Sequence, residues 1–369
     1  MTTYDDNLKR RMAGNRQLLP LFENLRHPIL RCLNPAASSL SQAQAAHAHI
    51  LKTGISADTH LSTKLLSLYA NHHPSPAHAV LLLHSLPDPT LFSFSTLVHA
   101  FTKLRRFPLA LRIFAQMVSL GIGPDTYVLP SVLKACGGLS SVTAGKQVHC
   151  VASVSGFDSD SLVLSSLFHM YVQLDRITEA RQVFDRMPHP DVVTCSALLS
   201  QYARRGLVQD TEELLCRIRD IGLELNLVSW NGMISGFNHS GRHLEAVVLF
   251  RNMHLEGFRP DEAGLSSVLP PVGALEMLEI GVQIHGHAIK LGFAQDKCVV
   301  SALVDMYGKC ACAVEMSRVF EDMDEKDVGV CNALITGLSR NGLVFAARDE
   351  VPIGRVILGI CILSLVRCL

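Results

Sequence analysis

Apolar residues recur along most of this chain at the spacing of an amphipathic helix. In residues 227–261, apolar side chains three or four positions apart form a first run that Gly241 interrupts, and a second run of the same kind follows. Gly257 and Pro260 end the second run, as glycine and proline commonly end helices. Because apolar positions at i, i+3 and i+4 indicate one buried helix face, this stretch is predicted to form a hairpin of two helices.

The hairpin pattern repeats along the chain in constant register. Residues 126–160 and 262–296 share S-V-L, G-x-Q-[VI]-H and G-F-x-x-D at equal offsets, and residues 161–191 align with 297–327 at the same separation of 136 positions. One hairpin cannot bury its apolar face alone, so neighbouring hairpins must stack to bury it. We therefore predict an all-α fold, an α-solenoid of about nine to ten helix-turn-helix repeats, each 31 to 35 residues long.

The repeats divide the chain into three parts. An N-terminal segment, residues 1–23, precedes the solenoid of residues 24–344, and an apolar tail of residues 345–369 follows it. The predicted repeats are a degenerate one near 24–58, then 59–90, 91–125, 126–160, 161–191, 192–226, 227–261, 262–296 and 297–327, and a partial one at 328–344.

The composition favours an apolar helical core and gives no sign of a basic surface. Hydrophobic residues make up 48% and charged residues 18%, which is too apolar for a disordered chain. Lys and Arg together number 33, as do Asp and Glu, so the formal net charge is zero. Proteins that bind nucleic acid irrespective of sequence usually carry a basic excess. If this chain binds a nucleic acid, it must therefore use a local groove.

The repeat resembles a known family. A hairpin of 35 residues that ends in G-[IF]-x-P-D and carries V-x-[WY]-N-x-[LM]-I-x-G in its first helix resembles the pentatricopeptide repeat. Alternation of 35-residue with 31-residue repeats is similar to the plant-type subfamily with long and short variants, the PLS subfamily. The W-x2-L-G pattern of the tetratricopeptide repeat, the other candidate, is not found.

The resemblance implies recognition of single-stranded RNA, with one base per repeat. In this family the fifth and the last residue of a repeat contact the base edge, and the second residue supplies an apolar face. Family preferences then imply G, G, A, U and G, in that order. The corresponding pairs are Ser95 with Asp125, Ser165 with Asp191, Ser196 with Asn226, Asn231 with Asp261, and Ser301 with Asp327. Asn332 is the fifth residue of the partial repeat and has no such partner.

Some repeats depart from this pattern, and a structural role competes with the functional one. The long-type repeats are expected to recognise bases poorly or not at all, and the first short repeat stays unassigned. Their pairs are Pro130 with Asp160, Ser266 with Asp296, and Thr63 with Thr90. An Asp that ends a repeat could instead cap the next helix, and Ser or Asn near a helix start is also a common cap. Capping does not exclude base contact, and recurrence of both positions in five repeats favours RNA recognition.

No catalytic or cofactor motif is evident. Members of the PLS subfamily often end in a domain that resembles a cytidine deaminase, which needs an H-x-E…P-C-x-x-C signature. The tripeptides at His243 and His254 match H-x-E, but both lie within one repeat and no P-C-x-x-C follows. We expect no enzyme activity, no cofactor and no metal site. The histidines at 47, 149 and 285 recur at one repeat position, which favours a packing or capping role.

The two ends of the chain give weaker indications. After Val344 the repeat pattern fails, so we expect a product truncated before a C-terminal extension or deaminase-like domain, with 351–369 as a junction artefact and not a membrane anchor. The N-terminal residues are cationic but include acids, and fit an organelle transit peptide only partly. The family resemblance implies the mitochondrion or the chloroplast.

These observations lead to one main hypothesis and two alternatives. The main hypothesis is a sequence-specific binder of single-stranded organellar RNA that serves C-to-U editing or RNA processing, with editing-complex proteins supplied in trans as further partners. We expect neither DNA nor a membrane as a partner. The alternatives are a helical scaffold that binds proteins, and a truncated product with residual RNA binding. The polar pairs favour RNA, because arrays that bind peptides do not need them.

Overall fold

The computed structural model describes residues 40–53, 59–71, 76–86 and 88–342. Every regular element in these residues is an α-helix, and none of these residues belongs to a strand. The expected all-α class is confirmed. The N-terminal segment 1–23 and the apolar tail 345–369 lie outside the described residues.

The helices follow one another in pairs. Within the described residues they are α1 (Leu40–Thr53), α2 (Thr59–Asn71), α3 (Pro76–Ser85), α4 (Leu91–Lys103), α5 (Phe107–Ser119), α6 (Val128–Gly138), α7 (Val142–Val154), α8 (Ser161–Gln173), α9 (Ile177–Phe184), α10 (Val192–Arg204), α11 (Val208–Asp220), α12 (Leu227–His239), α13 (His243–Leu255), α14 (Glu262–Ala274), α15 (Leu278–Leu291), α16 (Lys297–Lys309), α17 (Ala313–Glu321) and α18 (Val328–Arg340). The even-numbered helices from α2 onward are the first helices of the repeats, and the odd-numbered helices are the second helices. None of these described helices is both long and apolar enough to span a bilayer.

The chain forms two compact units, one up to His189 and one from Pro190 onward. In the first compact unit, α2, α4, α6 and α8 pack side by side in chain order, and each also packs on the second helix of its own hairpin. In the second compact unit, α10, α12, α14, α16 and α18 pack side by side in the same way, each but α18 again with its own second helix. Each compact unit is therefore a stack of helical hairpins, the arrangement of an α-solenoid.

The turn inside each hairpin fixes the register of the repeat. The backbone enters the left-handed region at the fifteenth residue of every repeat from residue 91 onward. These residues are Arg105, Ser140, Asp175, Gly206, Gly241, Glu276, Ala311 and Gly342. The turn takes this conformation even where a side chain disfavours it, so its geometry comes from the packing of the two helices and not from glycine alone.

A repeated stripe of apolar residues on the second helices fills the core. In α5 the stripe consists of Ala110, Phe114 and Met117, and each of these side chains is buried. Full burial of a side chain as large as Phe or Met contributes about 1.5–3 kcal/mol. The same stripe is buried at Ala180, Phe184 and Met187, at Ala246 and Met253, and at Met316, Phe320 and Met323. Phe250 departs from the expected pattern, because it is only half-buried.

The three recurring histidines pack against tyrosines. Each histidine lies on a second helix, and its Nδ1 is within hydrogen-bond distance of a tyrosine hydroxyl on the next first helix. The pairs are His47 with Tyr69 at 3.2 Å, His149 with Tyr171 at 2.8 Å, and His285 with Tyr307 at 3.0 Å. Burial lowers the pKa of each of these histidines and raises the pKa of each tyrosine. The described residues contain no group of three or more His, Cys, Asp or Glu that could hold a metal ion.

Acidification is expected to destabilise the fold through these histidines. Burial holds the pKa of His149 and His285 below the ordinary value of 6.5, so the folded state favours neutral imidazole. The stabilisation is present above pH 6.5 and is lost as the pH falls through the lowered folded-state pKa, because the unfolded chain then binds more protons. The urea concentration at the midpoint of unfolding should therefore be lower at pH 5.5 than at pH 7.5.

The matched variant is His149→Gln combined with His285→Gln. Glutamine can still form a hydrogen bond with the tyrosine hydroxyl, but it does not titrate in this range. The midpoint of the double variant should depend less steeply on pH than that of the wild type. Equal slopes in the two proteins would contradict this assignment.

Candidate nucleic-acid interface

The second residue of several repeats is a large apolar side chain that is exposed at the start of a first helix. Phe92, Tyr127 and Leu162 hold this position in the first compact unit, and Val193 and Val228 hold it in the second. Their side chains are between 51% and 80% exposed. Exposed apolar residues that recur in a row mark an interaction surface. Flat or branched apolar groups at a spacing of one repeat are suited to stack against nucleotide bases.

From repeat 91–125 onward, the last residue of each complete repeat caps the next first helix, whereas Thr90 makes no such side-chain hydrogen bond. The side-chain oxygen of the capping residue accepts a hydrogen bond from the backbone N–H of the third residue of the next repeat. The acceptors and their distances are Asp125 to Val128 at 2.8 Å, Asp191 to Thr194 at 2.7 Å, Asn226 to Ser229 at 3.0 Å, Asp261 to Gly264 at 2.8 Å, and Asp327 to Val330 at 2.9 Å. Asp160 and Asp296, at the ends of long-type repeats, cap in the same way. The capping role considered from the sequence is therefore present at all of these positions.

Capping fixes which atom of the last residue remains available. In Asn226 only the side-chain oxygen can accept the cap hydrogen bond, so the amide NH2 is the group left over. In Asp261 the cap uses Oδ1, and the remaining Oδ2 is a further acceptor. The same backbone geometry thus presents a donor where the last residue is Asn and an acceptor where it is Asp.

The fifth residues lie in the second turn of the first helices. Ser95, Ser165, Ser196, Asn231 and Ser301 are all half-buried, and Asn332 is exposed on α18. The hydroxyl of Ser95 donates to the carbonyl of Leu91 at 2.8 Å, and that of Ser196 donates to the carbonyl of Val192. These serines are short and bind their own helix, so they leave open space above the helix surface.

The structure brings two of the predicted pairs together within the second compact unit. Asn231 Nδ2 donates directly to Asp261 Oδ1 at 2.8 Å. Ser196 and Asn226 meet through Ser229, whose Oγ contacts Ser196 Oγ and donates to Asn226 Oδ1 at 2.9 Å.

Ser95 and Asp125 in the first compact unit are not joined in this way. Among the described contacts no hydrogen bond links them, because the Ser95 hydroxyl donates to the carbonyl of Leu91 and Asp125 Oδ1 accepts from the backbone N–H groups of Tyr127 and Val128. Ser165 lies on α8 and Ser301 on α16, while Asp191 and Asp327 cap α10 and α18.

The pair left unassigned from the sequence has the same bridged geometry. Thr63 Oγ1 lies 3.5 Å from Ser93 Oγ, and Thr90 Oγ1 lies 3.3 Å from it. The sequence analysis missed Ser93 and Ser229, which are the third residues of their repeats. The available signal was a serine at a buried position where four other repeats have valine.

Basic side chains recur on the helix face that carries the second residue, and at Lys103 and Arg204 that second residue is an exposed apolar one. Lys103, Arg204, Lys309 and Arg340 are each the thirteenth residue of a repeat, in the last turn of a first helix. They follow the second residue by eleven positions, about three helical turns, so the two positions lie on one face. A cation there also interacts favourably with the helix C-terminus. Lys309 binds Asp305 at 2.6 Å, while the other three side chains are exposed.

Comparison with known proteins identifies the repeat. The profile of the PPR repeat, the pentatricopeptide repeat, matches residues 92–122, 163–189, 193–223 and 228–258. The pentatricopeptide repeat-containing protein At1g20230 of Arabidopsis thaliana is 48% identical to this chain, over 90% of this chain and 44% of its own length.

Two further relatives come from the same plant. The protein At4g25270, named chloroplastic, is 32% identical over 76% of this chain and 46% of its own length. The protein At3g09040, named mitochondrial, is 27% identical over 92% of this chain and 37% of its own length. The chain spans less than half the length of each of these curated relatives.

A solved structure has the same fold. The crystal structure of the pentatricopeptide repeat protein PPR10 in complex with an 18-nt psaJ RNA element superposes with a TM-score of 0.61. The match covers 86% of this chain and 48% of that one, at 16% sequence identity. At this identity the likeness concerns the fold alone.

Proposed function

The chain belongs to the pentatricopeptide repeat proteins, and from this premise we propose that it binds single-stranded RNA in a sequence-specific way, with one base for each repeat that is not of the long type. The observation that supports this most strongly is the cap formed by the last residue of a repeat. In Asn226 and Asp261 the cap fixes one polar atom against the backbone and leaves the other to meet a base.

In this proposal the last residue selects the base according to whether the ring nitrogen on the Watson–Crick edge of that base carries a proton. Guanine N1 and uracil N3 carry a proton on the Watson–Crick edge, whereas adenine N1 and cytosine N3 do not. The remaining oxygen of a capping Asp can accept a hydrogen bond from the ring N–H of guanine or uracil. The remaining NH2 of a capping Asn can donate to the bare ring nitrogen of adenine or cytosine. Asn226 therefore suits adenine or cytosine, and Asp125, Asp261 and Asp327 suit guanine or uracil.

The fifth residue selects the size of the base. Asn231 extends to Asp261 and fills the space between them, which favours a pyrimidine. Serine has two fewer side-chain heavy atoms than asparagine, so Ser95, Ser196 and Ser301 leave room for a purine. Together the two positions assign guanine to repeats 91–125 and 297–327, and for repeat 161–191 guanine is what the family preference for Ser165 with Asp191 implies. They assign adenine to repeat 192–226 and uracil to repeat 227–261.

Stacking and phosphate contacts supply affinity in this proposal. Bases would lie against the exposed second residues, and stacking on an aromatic side chain is worth about 1–3 kcal/mol per base. The basic thirteenth residues lie on the same face and would neutralise phosphates. The RNA would therefore bind through a local basic row even though the formal net charge of the chain is zero.

We further propose that this binding directs RNA modification or processing in an organelle. Relatives named chloroplastic and mitochondrial support either compartment. The alternation of 35- and 31-residue repeats supports membership of the PLS subfamily. In this proposal the described residues select the site on the RNA, and a deaminase-like partner acting in trans supplies the editing chemistry.

The order of the assigned bases can be tested with short single-stranded RNAs. The reference RNA carries G-U-G-A-U-U-G, in which the second and sixth nucleotides face the long-type repeats. Two RNAs are compared, one with this sequence read from 5′ to 3′ and one with it read from 3′ to 5′. The RNA that binds more tightly is then varied one nucleotide at a time at fixed salt. Each change at an assigned base is expected to raise Kd by about 5- to 150-fold, the range for one good base contact.

Changes at the second nucleotide serve as the internal control. They should have little effect, because the fifth residue opposite this nucleotide is Pro130, which has no side-chain hydrogen-bonding group. Equal affinity for every RNA in the panel would overturn the proposal.

A further inference from the structure

The third residue of each repeat lies directly beneath a base-recognition pair. It is buried in every repeat from residue 91 onward, and its backbone N–H is the donor to the cap in most of them. The hydroxyls of Ser93 and Ser229 lie between the last residue of the preceding repeat and the fifth residue of that same repeat, and a Cβ at Gly264 would lie close to both residues of its pair. The identity of the third residue varies, and the contact between the two recognition residues varies with it.

Three arrangements occur among the described repeats. Where the third residue is Ser229, its hydroxyl joins Ser196 to Asn226. Where it is Gly264, Asn231 reaches Asp261 directly. Where it is valine, as at Val128, no hydrogen bond joins the pair in the described contacts.

We propose that the third residue is a specificity-determining residue, which acts by setting how the fifth and last residues of the preceding repeat are joined. This inference rests on the proposed RNA recognition. It adds a third, buried position whose side chain positions the two recognition residues and touches no base itself.

Ser229 orients both of its partners. Its backbone N–H and its hydroxyl both donate to Asn226 Oδ1, so two hydrogen bonds hold the amide with its NH2 directed away. Its oxygen also contacts the hydroxyl of Ser196. A serine hydroxyl has one proton and two acceptor sites. Ser229 donates its proton to Asn226, so its contact with Ser196 is a hydrogen bond when the Ser196 proton points to Ser229 instead of to the carbonyl of Val192. Loss of this hydroxyl removes one of the two hydrogen bonds that hold the amide, so the backbone cap alone holds it and the amide orientation is less strictly fixed.

Gly264 acts by leaving space. A Cβ at this position would lie 2.9 Å from Asn231 Oδ1 and 3.3 Å from Asp261 Oδ1. The first distance is too short for a carbon and an oxygen that are not bonded, so any side chain here displaces the Asn231 amide. The direct contact between Asn231 and Asp261 therefore depends on glycine at position 264.

The test uses Ser229→Ala in the full chain and the RNA panel varied at the nucleotide assigned to repeat 192–226. We expect the preference for adenine over guanine, measured as a ratio of Kd values, to fall by about 2- to 10-fold, the range for one lost hydrogen bond. Affinity for the remaining nucleotides should not change. The variant should fold, because alanine fills the buried site and the backbone cap to Asn226 remains.

Thr211→Val is the matched control. Thr211 also carries a buried hydroxyl. It belongs to repeat 192–226, lies on the second helix of that repeat and donates to the carbonyl of Leu207. Valine keeps its shape and removes its hydroxyl, so this variant should keep the adenine preference. Thermal unfolding followed by circular dichroism should show both variants folded at the assay temperature.

Gly264→Ala is the second test, with Gly286→Ala as its control. Gly286 lies in the second helix of the same repeat, and a Cβ there meets nothing within 4 Å. Gly264→Ala should weaken the uracil preference of repeat 227–261, and Gly286→Ala should leave it unchanged.

The outcomes separate this inference from the function on which it rests. Lost preference in Ser229→Ala and Gly264→Ala, with both controls unchanged, supports the inference. A wild-type preference that both test variants retain overturns the inference alone. A wild type with no base preference at any nucleotide overturns the proposed function and the inference together.

Discussion

Asn231→Ser is expected to move the base preference of repeat 227–261 from uracil towards guanine. The ratio of Kd values for the two bases at that one nucleotide should change by about 5- to 150-fold, which corresponds to about 1–3 kcal/mol. The measurement is binding of single-stranded RNAs that differ only at this nucleotide, at fixed salt. Preferences at the other nucleotides should hold, because each repeat recognises its own base.

The physical reason is the space that the asparagine side chain occupies. Its amide nitrogen lies 2.8 Å from Asp261 Oδ1, so it spans the gap between the two first helices. Its amide oxygen is buried without a hydrogen-bond partner among the described residues. Serine removes both groups and opens room for a purine. Asp261 keeps its cap and its free oxygen, which accepts from guanine N1 as well as from uracil N3.

The complementary variant changes the other recognition residue. Asp261→Asn keeps a side-chain oxygen for the cap to Gly264 but replaces the free acceptor by an NH2 donor. Preference should then move from uracil to cytosine, whose N3 is unprotonated. If Asn231→Ser and Asp261→Asn both keep the uracil preference, the assigned recognition positions are wrong.

The local part of this architecture was predictable from the sequence. Helical periodicity and the 35- and 31-residue repeats located the hairpins, because helix formation depends on neighbours three and four positions away. The family resemblance was equally local, since it rested on motifs within one repeat. The left-handed fifteenth residue was not predicted, because residues as different as Arg105, Glu276 and Gly241 hold it. Packing of the two helices imposes that conformation, and residue type does not reveal it.

The relation between capping and recognition needed the structure. From the sequence, an Asp at the end of a repeat had two competing interpretations. The structure shows that Asp261 caps with Oδ1, and Oδ2 is then the oxygen left for the proposed base contact. The bridge through Ser229 was missed for a related reason. It joins residues 33 positions apart in two repeats, and only the packing of α10 against α12 brings them together.

Close packing of first helices leads to the last prediction, which concerns stability. Gly308 on α16 faces Gly337 on α18, and a Cβ at position 308 would lie 2.9 Å from the Cα of Gly337 and 3.1 Å from Met316 Sδ. A backbone atom cannot move aside as a flexible side chain can, so a larger residue must separate the two helices. Gly308→Leu is expected to lower the free energy of unfolding by about 3 kcal/mol, at the upper end of typical overpacking costs.

Gly286→Ala provides the opposite expectation for a helical glycine in the same compact unit. Its Cβ would meet nothing within 4 Å, so only the gain in helix propensity remains. This variant should raise the free energy of unfolding by about 0.5–1 kcal/mol. Urea unfolding followed by circular dichroism measures both effects. Gly308→Leu as stable as the wild type would show that α16 and α18 do not pack this closely. The opposite signs at two helical glycines would show that contact between first helices, and not helix propensity, fixes glycine at position 308.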